Sequence, residues 1–236
     1  MALPKVETLK HKLKLPSTGE QVEYRPYLVK EEKILMLALE SEDNSDMIDA
    51  VKQVIESCTD GKLNKDNMTM FDLEYFFTSL RSKSVGETSE INASCPECGE
   101  FSNVVVDLSN VEVNVPQDKD YYIRSIDNNI KVRMSYPSIG KTLGLMDENK
   151  SDVDLAYDLV AASIVEIYNG DEIHDVNDHS KEELMDFINS LSSTQFEDIK
   201  KFVEDSPTVS VLYDHNCHSC GYNGQNSLSG FANFFG

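Results

Sequence analysis

The sequence predicts an α+β protein: an N-terminal β-hairpin with a helical unit, then a β-rich region that an acidic helical insertion interrupts. Three observations predict it. Apolar residues alternate with a period of two near the N-terminus, again from residue 88 to about 136, and once more after Pro207. Between these stretches they recur at helical spacing behind acidic or Ser/Thr starts. Four of the five cysteines form two pairs with two-residue gaps, one pair in each of the last two β-rich stretches. The 236 residues suffice for one large domain or two modest ones. The expected division is 1–87 for the hairpin and helical unit and 88–236 for the rest, with the helical insertion at about 137–205.

Taken in order, Leu13 and Leu15 alternate with lysines, the chain turns at Pro16-Ser17-Thr18-Gly19, and alternation resumes at Val22 and Tyr24, which reads as a hairpin. Pro26 ends it. A first helix follows, with Ile34, Leu35, Ala38 and Leu39 at helical spacing behind an acidic first turn. In a second helix Met47, Ile48, Val51, Val54, Ile55 and Cys58 fall on one stripe, which makes Cys58 a buried structural thiol. A third helix carries Leu73, Phe76, Phe77 and Leu80; Thr69 and Asp72 have capping-box spacing before it, and Gly86 closes it. In the β-rich stretch, Asp127-Asn128-Asn129 reads as a hairpin turn between two alternating runs. Helical spacing returns at residue 137. It continues through Val153, Ala156, Leu159, Val160, Ile164 and Ile167, then through two short helices opened by Ser180 with Glu183 and by Thr194 with Glu197. Their apolar faces are Leu184, Phe187 and Ile188, and Phe196, Ile199 and Phe202. No internal repeat is visible.

Charge narrows the function. Twenty-one basic residues against 42 acidic ones give a net charge of −21, which repels phosphate backbones and anionic headgroups. A nucleic-acid or membrane-surface role is disfavoured. Residues 147 to 205 hold 17 acidic and 4 basic residues, a net −13 that reads as solvated helix faces or as a docking face for a basic partner. No run of about 18 apolar residues occurs and the start lacks a signal-peptide core, so the chain is expected to remain in the cytoplasm, with reduced thiols.

The cysteine pairs are CPECG at 95–99 and CHSCG at 217–221. The two-residue gap lets both sulfurs of a pair reach one metal, and the glycine after each pair can take the positive φ needed as the backbone wraps it. Cys95, Cys98, Cys217 and Cys220 together fill a tetrahedron, so the expected cofactor is a structural Zn2+ in a zinc-ribbon-like region. Reduced cysteines without metal, or an iron or redox site, are the alternatives. CPEC resembles a thiol-redox pair, but that chemistry wants a helix after the first cysteine, and here Gly99 and a strand follow. His215 and His218 lie beside the second pair and are expected behind the ligands or in solvent.

Other motifs carry less. Asp147, Asn149 and Ser151 are spaced like the start of a calcium loop, but Asp152 stands where that loop needs Gly and Asp158 where it needs Glu, so a helix cap explains them better. There is no glycine-rich phosphate loop and no nucleophile elbow, and His11, His174 and His179 lie in polar runs. The chain reads as a non-enzyme.

The N-terminal third resembles the baseplate hub assembly proteins of T-even-type tailed bacteriophages, which include the hub assembly catalyst and a related hub component. The resemblance rests on the PSTG turn, Arg25-Pro26 before a helix beginning Leu28-Val29-Lys30-Glu31-Glu32, the segment Phe71-Asp72-Leu73-Glu74-Tyr75, and Lys83-Ser84-Val85-Gly86-Glu87. It covers residues 1 to about 90 well. It implies a protein of the host cytoplasm that binds hub subunits and promotes central hub assembly without covalent catalysis, or a hub component retained in the virion baseplate. Within that region Lys30, Glu31 and Lys33, with Arg81, Lys83 and Glu87, cluster at helix ends and are the expected partner-binding residues. A zinc-ribbon nucleic-acid-binding protein is the alternative of another class, but the knuckles carry Glu97, Glu100 and Asp214 where it would need cations.

Overall fold

The computed structural model describes residues 8–41, 43–146 and 150–229. The fold is α+β and divides into two compact units: one built from the chain up to Asn114 and again from Thr208, the other from Val115–Pro207.

In the first unit, β1 (His11–Lys14) and β2 (Gln21–Tyr24) form the expected hairpin. Its turn is closed by the Gly19 amide donating to the Leu15 carbonyl at 2.8 Å, with Gly19 at φ +70°. Val22 and Tyr24 point inward, and the Tyr24 ring sits 5.2 Å from Phe76. The turn is tied to a distant element. Asp72 is fully buried, and its carboxylate accepts from the Ser17 amide (3.0 Å), the Thr69 amide (3.1 Å) and the hydroxyls of Ser17 and Thr69. The capping box of the third helix thus also holds the hairpin.

Three helices follow: α1 (Val29–Ser41), α2 (Asn44–Cys58) and α3 (Met70–Ser84). On α2, Met47, Val51, Val54, Ile55 and Cys58 are buried as the stripe requires, and burial pushes the Cys58 thiol up to about 11, which leaves it inert. On α1 the stripe is narrower than expected: Leu35 and Ala38 are buried, while Leu39 is 45% exposed. The third position on that buried side is Glu31, a carboxylate at 1% exposure. It accepts from Arg25 Nη2 (2.8 Å), Ser57 Oγ (2.7 Å) and the Leu28 amide (2.9 Å). Arg25 also spans to the Ser57 and Cys58 carbonyls, so this network joins the end of β2, the start of α1 and the end of α2.

The rest of this unit is β-structure. β3 (Thr88–Ser94) and β4 (Phe101–Asp107) pair antiparallel, and β5 (Glu112–Val113) reaches a later strand, β10 (Val209–Asn216), which pairs on its other side with β11 (Asn223–Ser229). Helix α3 lies against this sheet: the half-buried Glu74 carboxylate accepts from the Val209 amide. Phe76, Phe77, Leu73 and Leu80, with Val106, Leu108, Val209 and Val211, are buried in this unit.

The second unit has its own sheet, of order β6 (Ile123–Ser125), β7 (Ile130–Met134), β8 (Ile164–Asn169), β9 (Glu172–Asp175). With it come α4 (Ile139–Leu145), α5 (Asp152–Ser163), α6 (Lys181–Asn189) and α7 (Ser193–Glu204). The Asp127 turn joins β6 to β7, its carboxylate accepting the Asn129 and Ile130 amides at 2.7 Å each. Phe202, Ile199, Ile188, Val160, Val132 and Met134 form the core, and Tyr136 stacks on Phe202 at 4.8 Å.

Two local expectations are corrected here. The helix expected to run through Ile167 stops at Ser163, and Ile164–Asn169 becomes a central strand. Ile164, Val165, Ile167 and Tyr168 are β-branched or aromatic, and pairing on both sides by β7 and β9 overrides the helical spacing that Ile164 and Ile167 also satisfy. Gly170-Asp171, with Gly170 at φ +61°, turns β8 into β9. The capping box before α7 is Ser192 with Gln195, two residues ahead of the expected Thr194 and Glu197, while Ser180 with Glu183 caps α6 as expected. Ser151 caps α5; Asp147 and Asn149 of the calcium-like run lie outside the described residues.

The Glu31 network predicts a pH signature. Burial alone would raise the Glu31 carboxyl, but the hydrogen bonds from Arg25, Ser57 and Leu28 and the Lys30 ammonium outweigh it and hold it at about 2 against an ordinary 4.5. A depressed carboxyl contributes stability that is complete above pH 4.5 and is lost as pH falls towards 2. Urea unfolding across that window should show the loss in the native sequence and a smaller one in Glu31→Gln. Arg25→Met, which strands the carboxylate, should cost about 3 to 5 kcal/mol at neutral pH.

Candidate metal centre

The two cysteine pairs sit at the tips of two hairpins, β3–β4 and β10–β11, and the tips are built alike. In the first, the Gly99 amide donates to the Cys95 carbonyl at 2.9 Å and the Cys95 amide to the Glu100 carbonyl at 2.8 Å. In the second, the Gly221 amide donates to the Cys217 carbonyl at 3.0 Å and the Cys217 amide to the Tyr222 carbonyl at 2.8 Å. Gly99 and Gly221 take φ of +73° and +76°, where a side chain would be strained. Each tip therefore folds its two thiols to one side by local backbone chemistry alone.

Tertiary packing brings the tips together, with β4 lying against β10. Cys95 Sγ is 3.7 Å from Cys220 Sγ and Cys98 Sγ is 3.6 Å from Cys217 Sγ, so the close contacts run across the hairpins. All four sulfurs lie within 4.8 Å of one another. A metal–sulfur bond of about 2.3 Å gives a regular tetrahedron with sulfur–sulfur edges of about 3.8 Å, so the cluster has the size and shape of a closed tetrahedral site. Cys95 and Cys217 are buried, Cys98 and Cys220 exposed.

The thiols do not share one protonation tendency. Backbone amides of Cys220 and Ser219 point at the Cys217 sulfur and lower its pKa to about 7. The Glu100 amide favours the Cys98 thiolate as well, but the neighbouring sulfurs outweigh it and push Cys98 up to about 12. Four thiolates this close would repel one another, and a bound cation would offset that repulsion and deprotonate them together.

Of the two nearby histidines, His218 is exposed, whereas His215 is fully buried. His215 Nε2 lies 3.3 Å from Ser102 Oγ, linking β10 to β4 just below the sulfurs. Sequence reasoning missed Ser102, whose link to His215 spans 113 positions and has no local signal. His174 and His179 line a largely apolar cavity of the second unit with Ile130, Ile167, Leu184 and Phe187.

The expected partner-binding residues are brought together in part. The Tyr27 amide donates to Ser84 Oγ at 3.0 Å, which sets the start of α1 beside the end of α3. Lys30 and Lys33 are exposed, as are Lys83 and Glu87, which pair with each other; Arg81 is half-buried and reaches Ser89 Oγ at 3.2 Å. Glu31 does not belong with them. Its carboxylate is engaged inside the unit, so it shapes the surface without being part of it.

A search of curated proteins and a search of solved structures each found no match. A family model described as T4 bacteriophage base plate protein matches residues 7–236, which takes in both cysteine pairs as well as the N-terminal hairpin and helices. With nearly the whole chain matched, this protein belongs to the T4 bacteriophage base plate protein family.

Proposed function

We propose that this chain is an assembly factor of the phage tail baseplate hub: a chaperone-like, non-enzymatic protein that binds hub subunits and promotes building of the central hub. The observation that carries the reading is the base plate family match over residues 7–236, joined to the resemblance of the first 90 residues to hub assembly proteins. The chemistry agrees with it. A site of four thiolates has no open position for substrate, so its metal is structural. We infer that the metal is Zn2+, which prefers tetrahedral thiolate sites and needs no redox partner. A net charge of −21 favours protein clients over nucleic acid, and among the described residues no helix is long and apolar enough to cross a membrane. The hub contact is assigned to Lys30, Lys33, Arg81, Lys83 and Glu87, a patch carrying cations on an acidic protein. Assembly would take place in the host cytoplasm.

Two experiments test this. Protein purified without chelator should contain about one zinc per chain, and Cys95→Ser and Cys217→Ser should each lose the metal and melt at lower temperature. Metal-free protein that melts like the metal-loaded form would refute the zinc site. For the function, affinity capture from infected cells read by mass spectrometry should recover hub subunits. Lys30→Glu with Arg81→Glu should weaken that capture about tenfold while circular dichroism shows the fold retained. Recovery of no baseplate protein by the native chain would overturn the reading. Purified virions separate a factor that leaves, which would be absent, from a component that stays.

A further inference from the structure

Helix α1 carries an apolar face that its own unit leaves uncovered. Glu31, Leu35 and Ala38 form its buried side. On the opposite side, at successive turns, stand Val29, Lys33, Met36 and Glu40, with Leu37 and Leu39 on the flanks. Val29 is 80% exposed, Met36 60%, Leu37 56% and Leu39 45%. Large apolar side chains concentrated on one surface helix mark an interaction site.

The charges on this face identify the occupant. Lys33 and Glu40 form no ion pair among the described residues. They stand at equal distances, in opposite directions, from the midpoint between Met36 and Leu37. We propose that α1 pairs with α1 of a second copy of this chain, antiparallel about a twofold axis at that midpoint. Each Lys33 then faces Glu40 of the other copy, and Met36 and Leu37 of both copies fill the seam. A parallel pairing would set lysine against lysine and glutamate against glutamate. A purely acidic or purely basic partner would leave one of the two charges opposed. The contact is small, because a 13-residue helix is about 20 Å long, so the dimer is a micromolar, reversible one. It stands independently of the assembly-factor reading. Lys33 is common to both surfaces, so a hub subunit seated there and a second copy exclude each other.

Sedimentation equilibrium of the full, metal-loaded chain tests the pairing. The expected result is a monomer–dimer equilibrium that weakens with salt. Lys33→Glu and Glu40→Lys should each weaken it about tenfold, because each introduces two like-charge contacts, and the double variant Lys33→Glu/Glu40→Lys should restore it. Met36→Glu, at an exposed position, should give monomer with unchanged circular dichroism and melting. A chain that stays monomeric up to hundreds of micromolar overturns the proposal. So does a dimer indifferent to Met36→Glu, or a double variant no better than the single ones. A photo-crosslinker at position 37 should yield covalent dimers; capture of residues within the same chain only would also overturn it.

Discussion

The return of the chain to close the first unit is the constraint on which that unit depends, and the four sulfurs meet at its far end. The chain leaves that unit after Asn114 and returns at Thr208, so β10 and β11 must find β4, β5 and α3 across a long detour. Closing such a loop costs entropy that grows slowly with length but is never negligible. The contacts β10 makes on return are a two-residue ladder with β5, the Glu74 acceptance of the Val209 amide, and packing on β4. The cysteines add a fastening at the far end of the same strands, over a separation of 119 positions between Cys98 and Cys217. A metal held there would stabilise the closure directly, because its four ligands converge only when both hairpins are in place.

Two buried carboxylates do a related task for the N-terminal part. Asp72 gathers the hairpin turn and the start of α3; Glu31 gathers the end of β2, the start of α1 and the end of α2. Each is surrounded by donors, which a buried charge requires. Apolar packing alone would tolerate several orientations of a four-residue-strand hairpin on three helices, whereas a carboxylate with three or four fixed donors tolerates few. The starts of α1 and α3 are therefore held in place by their own buried carboxylates.

The charge of the chain is unevenly spread along the sequence. Much of its charge is carried by residues 147 to 205, and the segments around α1 and the α3 end keep lysines and an arginine. A single net charge therefore does not describe how each segment would meet a partner.

The sequence by itself determined what depends on near neighbours. The N-terminal hairpin, α2 and α3 with their stripes, the Asp127 turn and the identical knuckle tips follow from periodicity, turn residues and cysteine spacing, all local over a few residues. The family was legible as well, in the segments around Arg25 and Phe71. Tertiary structure alone decided the rest. Ile164 to Asn169 satisfy both periods, and only the presence of β7 and β9 on either side makes them a strand. Glu31 reads as a solvated first-turn acid until Arg25 and Ser57 arrive from other elements to neutralise it. The cross-hairpin order of the sulfurs and the His215–Ser102 link join residues more than a hundred positions apart. Spacing shows that each knuckle can offer two sulfurs to a metal; that the two pairs meet is settled only where strands distant in sequence pack side by side.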